Sequence, residues 1–157
     1  MNVILERTDK VKYFTNMRSV VAALGISAAA FDWYISDIET NYRGAEFYAG
    51  DQWMSGEELE RFLTHNEVQF IWAVFSAVPK GFRSVVKEAP YIDGNPDYWQ
   101  GIEVVPQLPN ALFEIACWDS SATIFVGLPV EALNNLRNIH PSIKLLVTRG
   151  SQTPVCQ

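Results

Sequence analysis

The sequence predicts a single α+β domain, with about three helices packed on a mostly antiparallel sheet. Strand-like runs follow one another directly, and separate stretches carry helical periodicity. The strict strand–helix alternation of a doubly wound nucleotide fold is missing. The 157 residues suit one domain over 1–150, followed by a polar tail at 151–157. Apolar residues make up 48% of the chain and aromatic residues 13%, enough to build a core without disulfides.

Residues 3–7 (Val-Ile-Leu-Glu-Arg) read as an opening strand. Tyr13, Phe14, Met17, Val20, Val21 and Leu24 recur at helical steps, and Gly25 follows where a left-handed cap costs least. Over 31–38, Phe31, Trp33, Ile35 and Asp37 alternate with Asp32, Tyr34, Ser36 and Ile38, the pattern of a half-buried strand. Residues 45–48 read as its partner strand across a turn at 41–44. Ser55-Gly-Glu-Glu58 is a capping box, and Leu59, Phe62 and Leu63 form the buried stripe of a helix ending near Asn66.

The run from Val68 to Val78 is apolar on both alternating faces, as in a strand covered above and below. Pro79–Gly81 ends it. Residues 88–111 hold four of the eight prolines and read as a long loop, with a short strand at 101–105. Leu112–Trp118 and Thr123–Leu128 flank Asp-Ser-Ser-Ala, a hairpin loop. Pro129 suits the start of a helix carrying Val130, Leu133, Leu136 and Ile139, which stops before Pro141. Residues 143–148 read as the last strand.

Searching for chemistry excludes more than it finds. Neither phosphate-binding glycine pattern occurs, so no nucleotide cofactor is expected. His65 and His140 each sit near a helix end, where a cation suits the dipole. Cys117 lies in an apolar run, as a structural buried thiol does, and Cys156 is penultimate. With so few cysteines, no secretory leader and no long apolar span, a cytosolic chain without a membrane partner is expected. No Gly-x-Ser-x-Gly elbow is present. Pro96-Asp97 followed by Glu103 resembles the start of a restriction-type nuclease motif, but Val105 stands where the lysine belongs. No catalytic residue, metal ligand or cofactor is therefore assigned.

Charge and aromatic residues remain. The net charge of -6 works against binding nucleic acid or anionic membranes directly and leaves basic partners open. Residues 31–60 hold the acids Asp32, Asp37, Glu39, Glu46, Asp51, Glu57, Glu58 and Glu60 against a single base, Arg43. Tyr42, Tyr48 and Trp53 sit among them. The long loop repeats the theme with Glu88, Tyr91, Asp93, Asp97, Tyr98, Trp99 and Glu103. Tyrosine and tryptophan anchor many interfaces, and carboxylates beside them steer a basic partner.

In composition and architecture the chain resembles the immunity proteins of bacterial toxin systems, including contact-dependent growth inhibition. That resemblance implies a protein that binds a cognate toxin domain, often a basic nuclease, and blocks its active site. Its contact residues would be Asp37, Glu39, Tyr42, Glu46, Tyr48, Asp51 and Trp53, with Tyr91, Asp93, Asp97, Tyr98 and Trp99 as a second surface. A nucleic-acid mimic, an enzyme of unfamiliar type and an oligomerising module stay open at this point. The mimic predicts acids spread regularly over one face, the enzyme a polar pocket, and the oligomer aromatics buried in a symmetric contact.

Overall fold

The apolar run that ends at Val78 forms the strand around which the sheet assembles. The computed structural model describes residues 1–9 and 15–146. Its strands are β1 (Val3–Glu6), β2 (Asp32–Thr40), β3 (Gln52–Met54), β4 (Phe70–Val78), β5 (Phe113–Trp118), β6 (Ala122–Val126) and β7 (Lys144–Leu145). The helices are α1 (Met17–Leu24), α2 (Gly56–His65) and α3 (Val130–Ile139), and short 3-10 turns lie at Ala28–Ala30, Ala45–Phe47 and Pro96–Trp99. The seven strands form one sheet in the order β3-β2-β4-β5-β6-β1-β7. Every pairing in it is antiparallel. The fold is the α+β class that the sequence predicts.

Different materials cover the two faces of the sheet. On one face Trp33, Ile35, Phe75, Phe113 and Phe125 pack with Leu24, Leu59, Phe62 and Leu136 of the three helices. On the other, Val74, Ala116 and Ile124 meet Ile92, Tyr98 and Val104, while Tyr34 and Val78 meet Leu108 and Phe82. That second cover comes from the irregular chain between β4 and β5. Covered on both sides, β4 is apolar on both sides.

Local signals set the helix ends. Ser55 Oγ accepts from the Glu58 amide and the Glu58 carboxylate accepts from the Ser55 amide, closing the capping box. Gly25 ends α1 at φ 66. Gly56 is needed for another reason: a Cβ there would lie 1.9 Å from the Phe31 carbonyl oxygen, so α2 could not start so close to the chain entering β2. No helix among the described residues is long and apolar enough to cross a membrane.

Several expectations are corrected. Residues 45–47 are a 3-10 turn, because Phe47 drives its ring into the core against Phe62 and Phe70, and the partner of β2 is Gln52–Met54 instead. No strand forms at 101–105: Gly101 has φ 74, and this segment lies across a face of the sheet, away from any ladder. Ile38 joins the helix-side core with Ile35, since a bulge between Ser36 and Glu39 breaks the alternation. In α3, Ala132 faces inward while Val130 and Ile139 stay exposed. Tyr13, Phe14, the end of the last strand at 147–148 and the tail 151–157 lie outside the described residues.

One carboxylate locks three elements. Asp32, buried at the start of β2, accepts from the Gly56 amide at 3.0 Å, the Gly81 amide at 2.9 Å and the Arg83 guanidinium at 2.8 Å, with Lys80 at 3.7 Å. Burial opposes its charge, but Arg83 and the two amides outweigh that and lower its pKa from 3.8 to about 2. A depressed carboxyl pKa stabilises the fold above the unfolded value and loses that contribution as pH falls through the folded one. Asp32 should thus contribute about 2 kcal/mol at neutral pH. That contribution is lost as pH falls from about 4 to about 2. Urea titrations across that window should show Asp32→Asn less stable at neutral pH and flatter in its acid dependence. An unchanged slope would show that the clamp does not form.

Candidate functional site

Four of the acids of 31–60, Asp37, Glu39, Glu46 and Asp51, lie at the open edge of the sheet or on the turn beside it. β3 pairs with β2 only at Trp33, Tyr34 and Ile35, so the far half of β2 has no ladder partner on its outer side. There Asp37 sits in the bulge at φ 54, a left-handed conformation that aspartate tolerates better than most residues. Its amide donates to the Asp51 carboxylate at 2.9 Å, and its own carboxylate accepts from the amides of Ile92 and Asp93, each at 2.8 Å. Asp37, Asp51 and Asp93, predicted on two separate surfaces, are thereby brought together. Glu39 follows, exposed, opposite Trp72 of β4.

The turn before β3 carries the aromatic part of the edge. Tyr42 is half-buried, its ring 4.9 Å from that of Phe62, and its hydroxyl donates to Glu46 at 2.6 Å. That bond raises the Tyr42 pKa and lowers the Glu46 pKa. Tyr48 points the other way: it is 77% exposed, with its hydroxyl donating to the Arg43 carbonyl at 2.8 Å. Trp53 is half-buried, edge-on to Tyr34 at 5.1 Å and beneath the Arg83 guanidinium at 5.1 Å. Beside it a groove of about 510 Å³ separates β3 from α2, lined by Glu46, Met54, Glu58, Arg61 and His65 among others.

Not all of the acids face a partner. Asp32 and Glu57 are paired with Arg83 and Lys80 of the chain itself. Glu58 closes the capping box and Glu60 accepts from the Ser27 hydroxyl. Asp37, Glu39, Glu46 and Asp51 form no ion pair among the described residues.

The long loop is held by a polar network that the sequence reading missed. Glu114, fully buried in β5, accepts from Ser76 Oγ at 2.6 Å and from the amides of Gln107 and Leu108 at 2.5 and 3.1 Å. Burial lifts its carboxyl above the ordinary range, against the pull of those three bonds. Gln107 in turn accepts from the Tyr91 amide and Asn95 Nδ2, and donates to the Tyr91 carbonyl and the Tyr98 hydroxyl. The signal for Glu114 was a lone carboxylate inside Phe-Glu-Ile-Ala-Cys-Trp.

Tyr98 is corrected as a contact residue: only 3% exposed, it serves this network and the core beneath it. Burial, followed by the Glu114 charge, raises its pKa well above the usual value. Trp99 is half-buried, 5.3 Å from the Trp118 ring. Asp97 is exposed in the 3-10 turn, which Asn95 caps by accepting the Asp97 amide. Tyr91 and Asp93 are exposed. A second groove, of about 570 Å³, opens along this loop between Tyr91 and Val105.

Among the described residues, no group of three or more His, Cys, Asp or Glu side chains is placed to hold a metal ion. His65 is exposed beside the Arg61 carbonyl, at 2.8 Å. Cys117 is buried, which pushes its thiol pKa up, and Cys156 lies outside the described residues. Comparison with protein-family models, with curated proteins and with solved structures finds no match to this chain.

Glu114→Gln tests the network. An amide has one acceptor oxygen where the carboxylate has two, so whichever way it turns its NH₂ group must face a backbone amide donor, that of Gln107 or that of Leu108. The variant should unfold at lower urea concentration, by about 1–3 kcal/mol, and be cut faster by protease within residues 88–111. Stability and cleavage equal to the parent chain would remove Glu114 as the loop's anchor.

Proposed function

We propose that this chain is a binding protein that neutralises a cognate, basic bacterial toxin domain in the cytosol by occluding its active site. This is the mode of the immunity proteins it resembles. The supporting observation is the edge itself: Tyr48 stands 77% exposed in the turn with Glu46 and Asp51, whose carboxylates form no ion pair among the described residues. Asp37 and Glu39 extend the same acidic line along β2.

A large ring with one polar end buries much area at little entropic cost. Carboxylates around it raise the encounter rate with a basic surface and disfavour acidic or nucleic-acid partners. The line runs from the bulge in β2 onto the turn before β3, where Asp51 accepts the Asp37 amide and Glu46 the Tyr42 hydroxyl, and groups so tied limit the ordering cost of binding.

Co-expression with the protein encoded by the adjacent gene should yield a co-purifying complex and protect cells from that protein. Absence of both would remove this reading. Within such a complex, the triple variant Glu39→Lys, Glu46→Lys, Asp51→Lys should slow association by about tenfold or more at low salt. The difference should shrink as salt is raised. An on-rate equal to that of the parent chain would exclude this edge as the steering surface.

A further inference from the structure

The second groove is built differently from the edge. Ile102 and Val105 keep 59% and 71% of their surface in water, and Tyr91 keeps 46%. These apolar groups line one concavity together with the carboxylates of Glu88, Asp97 and Glu103, and its lining contains no lysine, arginine or histidine. Among the described residues, the one ion pair on its carboxylates joins Glu103 to the Met1 amino group at 3.4 Å. One wall is tied together, with Asn95 and Gln107 both donating to the Tyr91 carbonyl.

Exposed apolar side chains on a concave surface gain by being covered, at roughly 25 cal/mol per Å² of apolar area. A rim of carboxylates selects what covers them. We infer that this groove seats an aliphatic or aromatic side chain that a protein partner carries between lysines or arginines. The inference rests on the reading of the chain as a protein binder, but uses a separate surface. Nucleic acid is repelled by the rim, and a second copy of the chain would bring like carboxylates face to face.

The division of labour follows from the two compositions. The edge, with its carboxylates around a single exposed ring, acts on the approach. The groove, with three apolar side chains inside an acidic rim, holds the bound partner and acts on dissociation.

The probe is an amphipathic helical peptide of leucine and lysine, added to the full chain and followed through the methyl resonances of Ile102 and Val105. Controls are the same peptide with glutamate for lysine, and a lysine-only peptide. The leucine–lysine peptide should shift both methyl sets, and Ile102→Asp with Val105→Asp should weaken it by at least about tenfold.

The inference is overturned if the methyls do not move or if either control peptide binds as tightly. Methyl shifts that follow protein concentration would place a second copy in the groove and overturn it too. So would a chain ending at Leu146 whose methyls differ from those of the full chain before any peptide is added, since its own C-terminal residues would then be the occupant. If the adjacent gene product is not bound, the proposed function falls while the peptide measurement still reads the groove.

Discussion

One face of the sheet is covered by chain that has no ladder of its own, and the rest of the structure answers to that constraint. Backbone amides buried under such a cover must find acceptors elsewhere or cost free energy comparable to a lost hydrogen bond. Here the acceptors are side chains rising from the sheet. Asp32 takes the Gly81 amide, Asp37 those of Ile92 and Asp93, and Glu114 those of Gln107 and Leu108, while Ser36 donates to the Pro90 carbonyl at 2.7 Å. The irregular layer is thus fixed at points along its length by groups whose positions the strands determine.

This divides the carboxylates into two populations. Asp32 and Glu114 face inward and act as structural acceptors. Glu39 is exposed on the unpaired part of β2, and Glu46 and Asp51 are exposed on the turn beside it. Charge on an open edge discourages pairing with another sheet, so these groups protect the free chain from aggregation. The same charges are what the proposed basic partner would meet. Asp37 belongs to both populations, bonding to Asp51 on the edge side and to the loop on the other.

Much of the architecture was legible because it is written locally. The capping box at Ser55, the cap at Gly25, the hairpin loop after Trp118 and the two-sided run at β4 each depend on a few neighbouring residues. What was not legible depends on distant ones. The bulge at Asp37 is held by Asp51 and by residues 92 and 93, so alternation alone placed Ile38 on the wrong face. Tyr98 looked like a loop aromatic, and its burial follows from Gln107 and from the cluster with Ile92 and Leu146. The count of acids in 31–60 was correct, but their availability was not, since Arg83 and Lys80 arrive from beyond β4 to pair with Asp32 and Glu57.

The account depends on the layer between β4 and β5 being as firmly held as the strands beneath it. Native-state hydrogen exchange measures this directly. The amides of Ile92, Gln107 and Leu108 should exchange only through opening events close in free energy to global unfolding, together with those of β4 and β5. Exchange of these amides at rates typical of unfolded peptides, while the strand amides stay protected, would contradict it.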